Sequence, residues 1–180
     1  MVDIERLDGR PAEAEALTAP LMLEYLAWCG ERLTAEHGVI FDDSAASVAA
    51  HHAEFTRELP HLLGPRGRLL IARDDDRTPV GVGALKPVDA GTAEIKRMYV
   101  RPQARGQGVG RAILLRLLTD ARANGYATAR LETGTFMREA HGLYRSVGFR
   151  DRPIFDNTEA ALSGLGKFML HMEIDLVTRG

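Results

Sequence analysis

The chain has a single cysteine, Cys29, so no internal disulfide can form and a disulfide-stapled scaffold is excluded. It lacks a long apolar run. The most apolar stretch, Leu17 to Gly30, is interrupted by Glu24 and is too short to cross a bilayer. It lacks a basic excess as well. The formal net charge is −2, which argues against a nucleic-acid partner, because phosphate binding draws on surplus Lys and Arg. The start, Met-Val-Asp-Ile-Glu-Arg, carries acid where a secretory signal needs basic residues and then an apolar core. The expectation is a cytoplasmic protein with no membrane and no nucleic-acid partner; a homodimer is left open. No repeat, low-complexity tract or linker interrupts the chain, so residues 1–180 are expected to form one domain. That length buries a full core without metal or disulfide.

Hydrophobic spacing gives the elements. Val2 to Leu7 alternates as a strand does. Ala12 to about Arg32 is helical, with Leu17, Leu21, Met22, Tyr25, Leu26 and Cys29 on one face and a split or kink expected at Pro20. Ser44 is placed to cap a second helix from Ala45 to about Leu59, ahead of Pro60. Three strands follow as a meander: Arg68 to Arg73, Pro79 to Lys86 and Thr92 to Val100, joined by polar turns. Gly108 to about Ala123 is a helix whose apolar stripe is Val109, Ile113, Leu114, Leu117, Leu118 and Ala121. Then come a strand at Ala127 to Thr133, a helix at Phe136 to Val147, a strand begun by Phe149 and a last one at Lys167 to Val177. Arg152 to Gly166 is a loop long enough to carry function. A meander followed by a strand-helix-strand crossover implies a mixed α/β sheet covered by helices.

The segment Arg105-Gly106-Gln107-Gly108-Val109-Gly110 enters the long helix directly. A helix start leaves N–H groups without partners and carries partial positive charge, and glycine allows positive φ and close approach. Together they suit a diphosphate, and Arg101, Arg105 and Arg111 could add charge. A nucleotide P-loop would need Lys-Ser or Lys-Thr after its last glycine, but Arg111-Ala112 stands there. A dinucleotide fingerprint fails on the spacing of its third glycine. A turn that binds nothing is the remaining alternative.

Arg105 to Gly110 matches the R/Q-x-x-G-x-G/A signature and resembles the GNAT superfamily of N-acetyltransferases. Glu94-Ile95-Lys96-Arg97-Met98-Tyr99-Val100 resembles the strand before that signature. Ala129-Arg130-Leu131-Glu132-Thr133 resembles the strand after it, and Leu143-Tyr144-Arg145-Ser146-Val147-Gly148-Phe149 resembles the family's second helix and exit. The resemblance covers about Arg68 to Leu176. It implies a GNAT-like, mostly antiparallel sheet with a central parallel strand pair that splays apart, flanked by helices. Residues 68–176 would be the core holding acetyl-CoA, and residues 12–60 the variable, acceptor-side region. The cofactor residues it implies are Met98, Tyr99, Val100, Arg105, Gly106, Gln107, Gly108, Val109, Gly110 and Arg111, with no metal. Pantetheine would lie in the gap, since unpaired strand edges can satisfy its amides. The partner would be a small-molecule or peptide amine.

By the same resemblance, Tyr144 sits where relatives donate a proton to the leaving thiolate. A tyrosine pKa near ~10 against ~8.5 for a thiol makes full transfer uphill, so hydrogen bonding to the thiolate is the second form of that role. Glu94 lies where some relatives place a general base, and Glu132 is a second choice. Glu94 could instead be a solvated strand residue paired with Lys96 or Arg97. Met137 departs from the family, many members of which carry Asn there in contact with the cofactor. Adjacent His51 and His52 point about 100° apart on a helix and cannot chelate together. Trp28 reads first as a core aromatic and second as a platform for an acceptor; Cys29 reads as structural. The expected activity is transfer of acetyl from acetyl-CoA to a primary amine by direct attack. The alternatives are a non-catalytic acyl-CoA sensor module and an interaction protein that has lost its ligand.

Overall fold

The computed structural model describes residues 2–40, 42, 44–154 and 164–177. Strand β1 (Asp3–Arg6) is followed by helices α1 (Pro11–His37) and α2 (Ala45–Leu63). The meander is β2 (Arg68–Arg73), β3 (Pro79–Pro87) and β4 (Thr92–Val100). Then come α3 (Val109–Ala123), β5 (Thr128–Gly134), α4 (Arg138–Ser146), β6 (Arg150–Arg152) and β7 (Met169–Asp175). The order of elements is the one read from the sequence, and the mixed α/β class holds. Of the suspected loop at Arg152 to Gly166, residues 155–163 lie outside the described residues. Among the described residues, no helix is long and apolar enough to cross a membrane.

Both early helices outrun their prolines. Helix α1 continues through Pro20 to Gly38, whose left-handed backbone (φ 64°) returns its N–H to Leu33 and Thr34. Helix α2, capped by the Ser44 hydroxyl, passes Pro60 to end at Leu63. Pro20 and Pro60 are both exposed, so water can meet the backbone group each leaves unbonded. Leu21, Phe55, Leu59 and Leu62 are almost fully buried along the inward faces. Their burial holds the helices across the breaks.

The seven strands form one sheet in the order β1-β2-β3-β4-β5-β7-β6. All pairs are antiparallel except β4 with β5. The parallel register runs from Thr92↔Thr128 to Ile95↔Leu131 and stops there, although β4 continues to Val100 and β5 to Gly134. The two strands therefore part, as the resemblance implied. On the other edge of β4, Ala84 faces Lys96 and Val82 faces Tyr99, so Arg97 and Met98 share one opposite residue, Gly83. This is a bulge, with Arg97 at φ 57°. It shifts the alternation by one. Ala93 and Ile95 belong to the core under α3, and beyond the bulge Met98 and Val100 pack against that core while Tyr99 joins the core under α1 and α2. Gly83 has no room for a side chain: a Cβ would lie 2.5 Å from Ile113 and 2.7 Å from Met98. The predicted α3 stripe is buried in full.

Candidate functional site

A cleft of about 610 Å³ opens where β4 and β5 part. The start of α3, the face of α4 and the C-terminal half of α1 line it. At one end, Gly106 (φ 72°) and Gly108 (φ 81°) take left-handed backbone, which is why glycine stands at both. Nothing lies within 4 Å of where their side chains would be, so the loop is open to an incoming group. Gly110 already lies within the helix. Among the described residues, the backbone N–H groups from Gly106 to Arg111 donate no hydrogen bond, whereas Arg105 N reaches Pro102 O and Ala112 N reaches Gly108 O. A run of unbonded N–H groups at a helix start is an anion site.

Nine of the ten expected cofactor residues line this cleft: Met98, Tyr99, Val100, Arg105, Gly106, Gly108, Val109, Gly110 and Arg111. Gln107 does not; it turns outward and donates from Nε2 to Gln103 O at 3.0 Å. Arg101, whose charge could have served the loop, is engaged elsewhere. Its guanidinium forms a fork on Glu24 (2.6–3.1 Å) and donates to Pro79 O at 2.8 Å. Arg105 donates from Nε to Val100 O at 2.9 Å and lies over the rings of Trp28 and Tyr99. The Val100 carbonyl thus already has an internal donor. Met98 sits in the bulge with no register partner in β3 or β5.

Tyr144 lines the same cleft from α4, and no described residue hydrogen-bonds its hydroxyl. Burial pushes its phenol well above the ordinary value, so it keeps its proton. Met137, at the N-cap of α4, also lines the cleft, and its sulfur accepts from the Thr133 hydroxyl at 3.6 Å. Glu94 does not line the cleft. It lies one residue before the strands part, on the sheet face toward α2, and accepts from Arg130 Nε and Nη2 at 3.2 Å each. Glu132, facing the same way from β5, lies 3.6 Å from His171.

That face carries a charge cluster the sequence did not announce. Glu58 of α2 accepts from Lys86 (2.6 Å), Lys96 (2.7 Å) and Arg97 (2.9 Å). Burial alone would raise its pKa, but Lys96, Arg97 and Lys86 outweigh burial and hold it at about 2. At Cys29, burial pushes the thiol to about 12, partly offset by a hydrogen bond with Tyr25. A thiol so hard to ionise is a poor nucleophile. His51 and His52 bring no ligand set together; His52 lies 3.5 Å from Glu15. Among the described residues no group of three His, Cys, Asp or Glu could hold a metal ion.

Sequence reasoning did not place Tyr25, Arg32 and Phe136 in the site. Tyr25, Trp28 and Arg32 all line the cleft from α1. Their spacing of three and four residues puts them on one helical face, and that was the available signal.

The profile that matches this chain is that of the acetyltransferase (GNAT) family, over residues 24–149. The IAA acetyltransferase of Azospirillum brasilense is 42% identical over 99 residues, 54% of this chain and 64% of that protein, so the chain spans just under two thirds of it. An uncharacterized N-acetyltransferase of Schizosaccharomyces pombe is 31% identical over 139 residues, 76% of this chain and 77% of its own length. Among solved structures, the PaiA N-acetyltransferase of Thermoplasma acidophilum in complex with coenzyme A is similar with a TM-score of 0.67. The overlap is 97% of this chain and 99% of that one, and at 17% identity it is a likeness of fold.

Proposed function

The chain belongs to the GNAT family of acetyltransferases, and on that premise we propose that it passes the acetyl group of acetyl-CoA to a primary amine by direct attack. One observation carries the reading. The unbonded N–H run from Gly106 to Arg111, the gap between β4 and β5, and Tyr144 all border one cleft. Those parts fit a ligand with a diphosphate at one end, amides in its arm and a thiol leaving group at the other. Residues 68–176 then form the core with the acetyl-CoA site, and residues 12–60 shape the acceptor side, within a single domain of residues 1–180.

In the reaction a neutral amine attacks the thioester carbonyl; a C–N bond forms, the C–S bond breaks, and the amine gives up a proton. The Met98 N–H would meet the charge that builds on the carbonyl oxygen. Tyr144 would hold the departing sulfur. Its raised pKa favours a hydrogen bond to the thiolate over complete proton transfer. Glu94, held by Arg130 and outside the cleft lining, would take the amine's proton through a bridging water. Cys29, the one cysteine, resists ionisation and is a poor acceptor for an acetyl-enzyme, which supports direct transfer.

The test begins with binding. Acetyl-CoA should raise Tm, because it stabilises only the folded state. Gly108→Asp, which puts a carboxylate at the diphosphate, should abolish that rise, a loss of about 100-fold or more in affinity. An undiminished rise in the variant would put the cofactor elsewhere. Turnover follows from release of coenzyme A thiol across polyamines, amino acids, aryl amines and peptides. Binding without turnover on any amine would make the chain a sensor of acyl-CoA.

A further inference from the structure

We propose that the α1 end of the cleft takes an amine carried on a flat aromatic body with no second positive charge; this rests on the acetyl-transfer reading and names its acceptor class. Four rings run across that end. Tyr25 packs on Tyr99 at 5.7 Å between centroids. Trp28 stacks on Tyr25 at 6.4 Å and 24°. Phe136 meets Trp28 edge-on at 5.8 Å and 62°. The rings come from three separate parts of the chain, and all four line the cleft that holds Tyr144. Tyr25 and Trp28 are only partly covered, so ring surface faces the cleft. An aromatic acceptor can set its face or edge against that surface, and an alkyl chain cannot match the contact.

The position of the rings also separates them from the cofactor end. Tyr99 points to the core under α1 and α2, whereas Met98 and Val100 pack with the core under α3. The cleft therefore reaches from one face of the sheet toward the other through the gap. The loop and the parted strand edges meet the polar demands of acetyl-CoA, and the ring run is left for the second substrate. It opens on the transfer centre. The Tyr25 phenol is raised by burial first and by Cys29 next, and Tyr144 adds to the effect, so the two hydroxyls lie within electrostatic reach.

Charge points the same way. At this end the lining carries Arg32, Arg138 and Arg105, which lies over the rings of Trp28 and Tyr99, against one carboxylate, Glu139. Glu36, behind the lining, bridges Arg32 and Arg138 at 2.5 and 3.3 Å. A polyamine or lysine-rich peptide would bring further cations to a wall that already holds arginines. A monoamine on a ring brings one charge, and loses it before attack.

Trp28 is the sole tryptophan, so its emission reports this end without any turnover. In the coenzyme A-saturated protein, phenethylamine should change that emission saturably and butylamine should not. With acetyl-CoA, kcat/KM for phenethylamine should exceed that for butylamine by about tenfold or more, with spermidine poorest. Trp28→Ala should collapse the aryl-to-alkyl ratio toward one, and Trp28→Phe should keep most of it. Should Trp28→Ala fail to fold, Phe136→Leu removes the neighbouring ring and should lower the same ratio. Equal rates for aryl and alkyl amines, a preference for spermidine, or an unchanged ratio in the alanine variant would overturn the acceptor class and leave acetyl transfer standing. Absence of any acetyl-CoA-induced rise in Tm, together with no turnover on any amine, would overturn both.

Discussion

The two ends of the cleft are built by opposite means. The glycine-loop end is backbone: six consecutive residues, two of them at positive φ, present N–H groups at the start of α3. The α1 end is side chains: Tyr25 and Trp28 from one helix, Tyr99 from β4 and Phe136 from the segment after β5. A backbone site must lie in one continuous stretch, so its residues keep a readable spacing. A side-chain site needs only that the fold bring the right rings together. The difference predicts which substitutions matter where. At the loop, most side chains should be replaceable as long as φ and charge are respected. At the far end, single side chains should set the chemistry.

Tyr144 joins the two ends and should give the largest effect. Tyr144→Phe removes one hydroxyl and leaves the buried ring beside Phe149. It should lower kcat by about 100-fold while the Tm rise with acetyl-CoA changes little, because the hydroxyl is needed mainly as the thiolate forms. Steady-state kinetics beside a thermal shift separates the two. Wild-type turnover in this variant would remove Tyr144 from the mechanism and leave the backbone end as the sole source of rate.

The next effect is on stability. Glu58 anchors α2 to the sheet by pairing with Lys86, Lys96 and Arg97. Its pKa is held at about 2 against an ordinary 4.5. A depressed carboxylate contributes stability that is present in full above the unfolded value and is lost as pH falls through the folded one. Glu58→Gln should therefore cost about 2 kcal/mol at pH 7, after allowance for solvent screening. In denaturant titrations the gap to the wild type should close as pH falls from about 4.5 toward 2. A gap that persists at the acid end would mean that packing, not charge, holds α2 in place.

What could be read in the sequence divides along the same line. The α3 stripe, its entry loop and the Leu-Tyr-x-x-x-Gly-Phe segment are local patterns, and each stands in the structure where it was expected. Pro20 and Pro60 were expected to break or end helices, but burial on the opposite faces outweighed them, and that burial depends on a sheet lying beyond. The bulge at Arg97 has no local signature. It puts Met98 and Tyr99 on the faces opposite to those that simple alternation from Thr92 would assign, and so delivers Tyr99 to the ring run. Arg101 could have added charge to the loop, but Glu24, 77 positions away, holds its guanidinium. Glu58 and its lysines are likewise distant in sequence. Contacts of this kind carry no spacing to read.

The smallest effect should fall on Glu94, and it tests whether chemistry at the far end depends on a base at all. Glu94 sits one residue before β4 and β5 part, on the α2 side, with its carboxylate held by Arg130 and with Lys96 Nζ 4.0 Å away. Its carboxylate already accepts from Arg130, so any base role must be shared with that bond. If it still serves as the base, Glu94→Gln should lower kcat several-fold at neutral pH. The deficit should shrink as pH rises toward about 10, where a lysine-type amine becomes neutral without help. An amine with a pKa near ~8 needs less help, so its profile should flatten above that pH in both proteins and the variant should differ little. A deficit equal at every pH would assign Glu94 to holding Arg130 and the apex of the gap, not to proton transfer. Glu132, one residue beyond the last position of β5 paired with β4, would then be the carboxylate to replace next.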